Sequence, residues 1–209
     1  MALLEPDVQP RQLRDYQQEA IDRLRDSLRA GHRRPMLQSP TGSGKTLVAA
    51  TLVNMAMAKG KRVAFVVPAL SLIPQTIEAF AAEGIYDVGV QQASHMMTDH
   101  SRPVQICSIQ TIARRGYPSA DMVICDEAHK IFEAYGRWFT DPAWARVPFI
   151  GLSATPWSKG LGKLYDDLVV LATTADMIEQ GYLSPFRVFA AAHPDLKGVR
   201  TVAGDYHEG

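Results

Sequence analysis

The stretch SPTGSGKT, from Ser39 to Thr46, limits the fold of this chain more than any other. A brief apolar run, PMLQ, leads into it, and TLVAATLVNMAMA, rich in good helix formers, leaves it and stops at Gly60. Between a strand and a helix, glycines let the backbone curl until several N–H groups point at one spot, and the helix N-terminus adds its positive dipole end. The segment reads as strand, anion-binding loop and helix, and RVAFVVP, a β-branched and aromatic run closed by Pro68, supplies the next strand. Loops of this kind usually open on glycine, where this chain has Ser39.

The alternation continues downstream. SLIPQTIEAFAAEG reads as a helix, PVQICS as a strand, IQTIARRG as a short helix, and DMVICD and VPFIGLSAT as two further strands. Upstream, Ile21, Leu24 and Leu28 recur at helical spacing among charges, which gives an amphipathic helix from Leu13 to about Leu28 ending near Gly31. Towards the end, TTADMIEQGYL reads as a helix, PFRVFAAA as a strand, and DLKGVRTVAGDYHEG as a less regular tail. Apolar strands alternating with helices specify an α/β fold whose mainly parallel sheet is covered on both faces.

With 46% apolar residues in 209, the chain can bury one core of ordinary size. Lysine plus arginine (22) equals aspartate plus glutamate (22), so there is no overall basic field and any nucleic-acid contact is local. Arg23, Arg25, Arg29, Arg33 and Arg34 form either a solvated helix face or a nucleic-acid edge. Cys107 and Cys125 lie singly in apolar stretches, which suits small core residues of a reducing compartment rather than a disulfide or zinc site. MALLEPDVQP has no signal-peptide pattern, and the longest apolar run is broken by Pro68, so a cytoplasmic protein without membrane association is expected.

The loop defines the first chemistry. Thr41, Gly42, Ser43, Gly44, Lys45 and Thr46 are the candidate nucleotide contacts, with Lys45 reaching the β- and γ-phosphates and the Thr46 hydroxyl ligating Mg2+. The second element is VICDEAH, an apolar strand ending at Asp126 on the edge where parallel sheets bind ligands. Asp126 has the chemistry of a magnesium-shell carboxylate, and Glu127 that of a base which orients and deprotonates an attacking water. The plainer reading of the pair is an acidic helix cap. His129 is either a satisfied core or surface histidine or a residue that couples to Glu127, and Ser153 and Thr155 either bond to the DEAH side chains or form a turn before Pro156.

In order along the chain, these motifs resemble the first RecA-like domain of the superfamily 2 DEAD/DEAH-box helicases, which are P-loop NTPases with a three-layer α/β/α fold. SPTGSGKT resembles motif I, DEAH (Asp126 to His129) motif II and SATP (Ser153 to Pro156) motif III. LRDYQQEAI resembles the Q-motif region, which implies adenine contacts by Gln17 and Arg14. VPALSLIPQ looks like motif Ia and SIQTI like motif Ib, which implies nucleic-acid contacts at Pro68, Ala69, Gln75, Ser108 and Thr111. Within the superfamily, the chain looks most like type I and type III restriction-enzyme motor subunits and RadD-like DNA repair proteins, and the resemblance runs from about Leu13 to Ala191.

The resemblance implies ATP and Mg2+ as ligands, nucleic acid (DNA more than RNA) as partner, and a second RecA-like domain carrying motifs IV to VI. Residues 1–172 are then the ATP-binding domain, and 173–209 an extension leading towards that second domain. Nothing after Thr155 offers the arginines that complete an ATP site, and such a residue contributes on the order of 10³ to 10⁵ in rate. The expectation is a monomer that binds Mg-ATP but hydrolyses it slowly and does not unwind a duplex alone. An ATP-dependent scaffold without turnover is the alternative. A kinase or transporter ATPase is disfavoured, because DEAH followed by SATP is not a kinase pattern and no LSGGQ-like signature is present.

Overall fold

The computed structural model describes residues 11–92 and 95–187 and the backbone of 201–202 and 205–206. Seven strands form one wholly parallel sheet: β1 (Pro35–Gln38), β2 (Val63–Val67), β3 (Val88–Gln91), β4 (Val104–Ser108), β5 (Met122–Cys125), β6 (Phe149–Ser153) and β7 (Asp167–Val170). Their spatial order is β3-β4-β2-β5-β6-β1-β7. The helices are α1 (Asp15–Arg29), α2 (Lys45–Met57), α3 (Ile73–Ala81), α4 (Ile109–Arg115), α5 (Glu133–Thr140), α6 (Leu161–Leu164) and α7 (Thr174–Glu179). Two short strands, β8 (Thr201–Val202) and β9 (Asp205–Tyr206), pair antiparallel in a sheet of their own.

The pleat divides the core into two layers. Along β2, Val63, Phe65 and Val67 point to one face, and Ala64 and Val66 to the other. The first face is covered by α1, α2 and α3 through Ile21, Leu24, Val48, Val53, Ile73 and Phe80. The second is covered by α4, α5 and α6 through Ile109, Ile112, Tyr135, Trp138, Phe139 and Leu161. Cys107 and Cys125 are free and buried on that second face, held apart by β2, where both register with Val66. Burial pushes the Cys107 thiol far above its ordinary range, and burial pushes Cys125 up to about 12.

The strand and helix expectations hold for β1, β2, β4, β5 and β6 and for α1, α2, α3, α4 and α7. Four strands went unpredicted: β3 and β7, which are the edges of the large sheet with one strand neighbour each, and β8 and β9 in the tail. Val88–Gln91 contains Gly89, where a Cβ would lie 2.1 Å from the Asp99 carbonyl oxygen, so glycine is required by the close approach of the following loop. β7 opens on Asp167 and pairs with β1 alone, which a reading by apolar runs passes over. PFRVFAAA lies largely outside the described residues, as does the tail; Pro185–Arg187 is irregular. Met177 of α7 is buried in the first layer, so this helix packs on the same sheet.

The arginines of α1 settle as ion pairs on a solvated face: Arg23 with Glu19, Arg25 with Asp22 and Arg29 with Asp26, three or four residues apart. No helix among the described residues is long and apolar enough to cross a membrane.

Candidate nucleotide site of a motor domain

β1, β6 and β5 lie side by side, so their C-terminal ends deliver the glycine loop, SATP and DEAH to one sheet edge. The backbone of Gly42 and Gly44 is left-handed, with φ of 83° and 84°. At Gly44, whose left-handed residue caps α2, a Cβ would fall 2.3 Å from the Gln17 amide nitrogen. The loop borders a cavity of about 870 Å³ lined by Arg14, Gln17, Thr41, Thr46, Glu127 and others.

At the centre, Lys45 Nζ lies 2.9 Å from Asp126 Oδ1 and also bonds the Glu127 carboxylate. The three side chains keep only 20%, 22% and 30% of their surface exposed, enough shielding to make the pairing stronger than a surface ion pair. Burial pulls the Lys45 ammonium down, but the two carboxylates outweigh it and hold Lys45 above its ordinary value. Glu127 is the one non-glycine residue with positive φ (47°) among the described residues, a conformation stabilised as its N–H donates to Asp126 Oδ1 at 2.9 Å. Its other oxygen is 3.3 Å from His129 Nδ1, which in turn is 3.0 Å from Ser153 Oγ. The Thr155 N–H donates to the same Oγ at 3.1 Å, while the Thr155 side chain is exposed. His129 and Ser153 are thus brought together with Glu127, and Thr155 joins them through its backbone.

The loop has a frame that the sequence does not display. Ser39 and Ser43 hydroxyls are 2.6 Å apart and both fully buried, and the Ser39 N–H donates to the Ser153 carbonyl at 2.8 Å. The serine in place of glycine is therefore a brace between the loop and β6. The Ser43 carbonyl accepts from Gln17 Nε2 at 2.8 Å and from the Tyr16 hydroxyl at 3.2 Å. In Ser43, one of the candidate nucleotide contacts, the hydroxyl, N–H and carbonyl are all engaged within the protein. Gln17 is 2% exposed, and its amide oxygen accepts from the Arg14 N–H at 2.9 Å, so both ends of its amide are tied up. The Arg14 guanidinium sits 4.4 Å above the Tyr182 ring, and Leu183 packs over Gly42. Tyr16, Tyr182 and Leu183 were invisible in the sequence because only the tertiary fold brings residues 16, 42 and 182 together.

The expected nucleic-acid contacts divide. Gln75 is exposed and lines a smaller cavity of about 120 Å³ with Lys45, Thr46 and Asp126, on the α3 side of the sheet. Thr111 stands at the α4 N-terminus on the other side, where its N–H donates to Ser108 Oγ at 3.2 Å. Ser108 is fully buried with its hydroxyl engaged as the helix cap, which corrects its assignment as a surface contact. Pro68 is also buried, and its carbonyl accepts from the Gln110 amide at 2.6 Å; Ala69 is half-buried.

Among the described residues no three His, Cys, Asp or Glu side chains form a metal cluster. Thr46 and Asp126 are two donors, which fits a magnesium ion that takes its remaining ligands from phosphate and water.

The meeting of these three strand ends defines a RecA-like motor domain of superfamily 2, with its helicase-type ATP-binding site. Residues 11–158 match the family described as Type III restriction enzyme, res subunit, and the chain belongs to that family. The putative ATP-dependent helicase IRC3 of Saccharomyces cerevisiae is 26% identical over 93% of this chain and 31% of its own length. A 51.5 kDa protein of a Lactococcus phage is 29% identical over 82% of this chain and 36% of its own. The chain spans about a third of the length of these curated relatives. Among solved structures, the UvsW helicase from bacteriophage T4 superposes with a TM-score of 0.64 at 17% identity, covering 75% of this chain and 59% of that one, which is a likeness of fold.

Proposed function

We propose that this domain is the ATP-binding half of a DNA translocase or helicase, hydrolysing Mg-ATP between itself and a second RecA-like domain. The observation that carries the reading is the double pairing of Lys45 with Asp126 and Glu127, with Glu127 joined through His129 to Ser153. Phosphate oxygens compete with the two carboxylates for the Lys45 ammonium, so binding of ATP frees Glu127 to face a water. Glu127 then orients that water and takes its proton, and Thr46 and Asp126 would hold magnesium, which supplies charge neutralisation at the phosphates. His129 and Ser153 hold Glu127 in place and carry its change of partner to Thr155.

The two arginines lining the cavity are engaged within the domain, Arg11 with Glu83 and Arg14 over the Tyr182 ring. A rate-completing arginine is therefore assigned to the second domain, and the chain alone turns over slowly. DNA is favoured over RNA because the chain is also similar to a type I restriction enzyme endonuclease subunit of Escherichia coli and, in fold, to a Type ISP restriction-modification enzyme solved with a DNA substrate mimic.

The test is ATP binding and steady-state hydrolysis by the chain, with and without DNA, for the native sequence and Glu127→Gln. Binding should persist in both, and the slow hydrolysis should fall by roughly 10² or more in Glu127→Gln. Hydrolysis unchanged by the substitution refutes the assignment of the base, and rapid DNA-stimulated turnover refutes the dependence on a second domain.

A further inference from the structure

The three tryptophans of the chain differ sharply in exposure. Trp138 is fully buried and Trp144 partly so, whereas Trp157 is 70% exposed at the sheet edge where the candidate site lies. It lies four residues after the end of β6, held by a turn in which its N–H donates to the Thr155 carbonyl at 2.9 Å. The loop then reaches Gly160, where a Cβ would lie 3.5 Å from Ile131 Cδ1, so the segments after DEAH and after SATP touch. Ile131 is itself 44% exposed.

Charge completes the patch. Lys130 and Lys159, one beside Ile131 and the other two residues from Trp157, are both exposed, and neither has an ion-pair partner among the described residues. The neighbouring carboxylates are committed elsewhere: Glu127 to Lys45 and His129, and Glu133 to Arg137 at 3.7 Å. The corner also lies on the aromatic face of the sheet, where α4 presents Thr111.

We infer that Trp157 is a base-stacking contact for single-stranded nucleic acid, with Lys130 and Lys159 pairing its phosphates. An open indole face on a loop that also carries an exposed lysine, next to a segment that carries another, is a combination that binds unpaired bases of any sequence, since every base has a π-face and every linkage a negative charge. Bases inside a duplex offer no such face, so the patch selects single strands. Trp157 is two residues from Thr155, whose N–H shares Ser153 Oγ with His129, so a stacked base abuts the chain of contacts leading to Glu127. The inference rests on the nucleic-acid reading above and adds a contact that reading does not contain.

The probe is a dye-labelled oligothymidylate of about ten nucleotides, within the span that single-strand-binding domains cover. Its anisotropy reports affinity, while the part of the tryptophan emission that is lost in Trp157→Phe reports Trp157. The expected results are quenched emission on adding oligonucleotide and binding weakened roughly tenfold in Trp157→Ala but much less in Trp157→Phe. Binding of a fluorescent ATP analogue should be unchanged in both variants. If the oligonucleotide binds with emission unmoved, or binds Trp157→Ala as tightly as the native chain, stacking is overturned and the nucleic-acid reading stands. If no oligonucleotide binds while the ATP analogue does, both fall. Emission that shifts with protein concentration rather than with oligonucleotide assigns the patch to a protein contact and overturns the inference.

Discussion

The two faces of the sheet are built from different materials. The face under α1, α2 and α3 is aliphatic, its buried set dominated by valine, isoleucine, leucine and alanine, and it carries the glycine loop at its top. The face under α4, α5 and α6 is aromatic: Trp138 stacks on Tyr117 with centroids 4.6 Å apart and meets Trp144 and Phe149 edge-on, while Phe139 contacts both Phe149 and Tyr165. There Tyr135 and Tyr165 face the Cys125 thiol, and neither hydroxyl reaches a full hydrogen bond among the described residues. The contrast teaches that the two faces share the strands and differ in what covers them. β5 and β6, which end in DEAH and SATP, send Ile124, Ile150 and Leu152 to the aliphatic face and Cys125 and Phe149 to the aromatic one, whereas α2, which follows the glycine loop, packs on the aliphatic face alone.

The sharpest way to break this contrast is Trp138→Ala against Val53→Ala, two fully buried residues on opposite faces. Removing the indole deletes three ring contacts at once and should cost about 3–5 kcal/mol. Val53→Ala should cost roughly 2 kcal/mol, from the two carbons it loses. Urea unfolding of the two variants checks the order, and near-equal losses would show that the rings carry no extra share.

The same contrast decides how much was legible in the sequence. Aliphatic helices announce themselves, since Ile21, Leu24 and Leu28 repeat at helical spacing and TLVAATLVNMAMA is composed of helix formers. α5 does not, because Glu133–Thr140 has Gly136 and four weak helix formers, and its helix is imposed by burying Tyr135, Trp138 and Phe139. That Lys45 meets Asp126 and Glu127 was readable because segments that follow parallel strands of one sheet gather at its C-terminal edge. Ser108 misled because a serine before a helix looks the same whether it caps the helix or faces a ligand, and only its burial separates the two. The Tyr16 and Gln17 bonds to the Ser43 carbonyl join residues more than twenty positions apart, which no local pattern encodes.

A smaller effect tests whether the aliphatic face supports the loop through geometry. Gly44→Ala puts a Cβ 2.3 Å from Gln17 Nε2 at a φ of 84°, so the amide must leave the Ser43 carbonyl or the loop must shift. A stability loss of about 1–3 kcal/mol is expected, from the left-handed backbone and the displaced amide. ATP-analogue affinity should drop along with it, because the displaced residue is the cap from which α2 begins. Stability lost with affinity intact would separate the cradle from the Gln17 bond.

The smallest expected effect concerns the serine brace. Ser39→Ala leaves the Ser43 hydroxyl buried without its 2.6 Å partner, and Ser43→Ala does the reverse, so each should cost about 1–2 kcal/mol. The double variant leaves no orphaned hydroxyl and should cost less than the sum, because the pair is one interaction removed once. The Ser39 N–H bond to the Ser153 carbonyl is a backbone bond and survives in all three, so the link between the loop and β6 is kept. A double-mutant cycle by urea unfolding therefore isolates the hydroxyl pair from that link. Strict additivity would mean that the two hydroxyls act independently, and that the loop is held in place by its backbone bonds and the aliphatic packing beneath it.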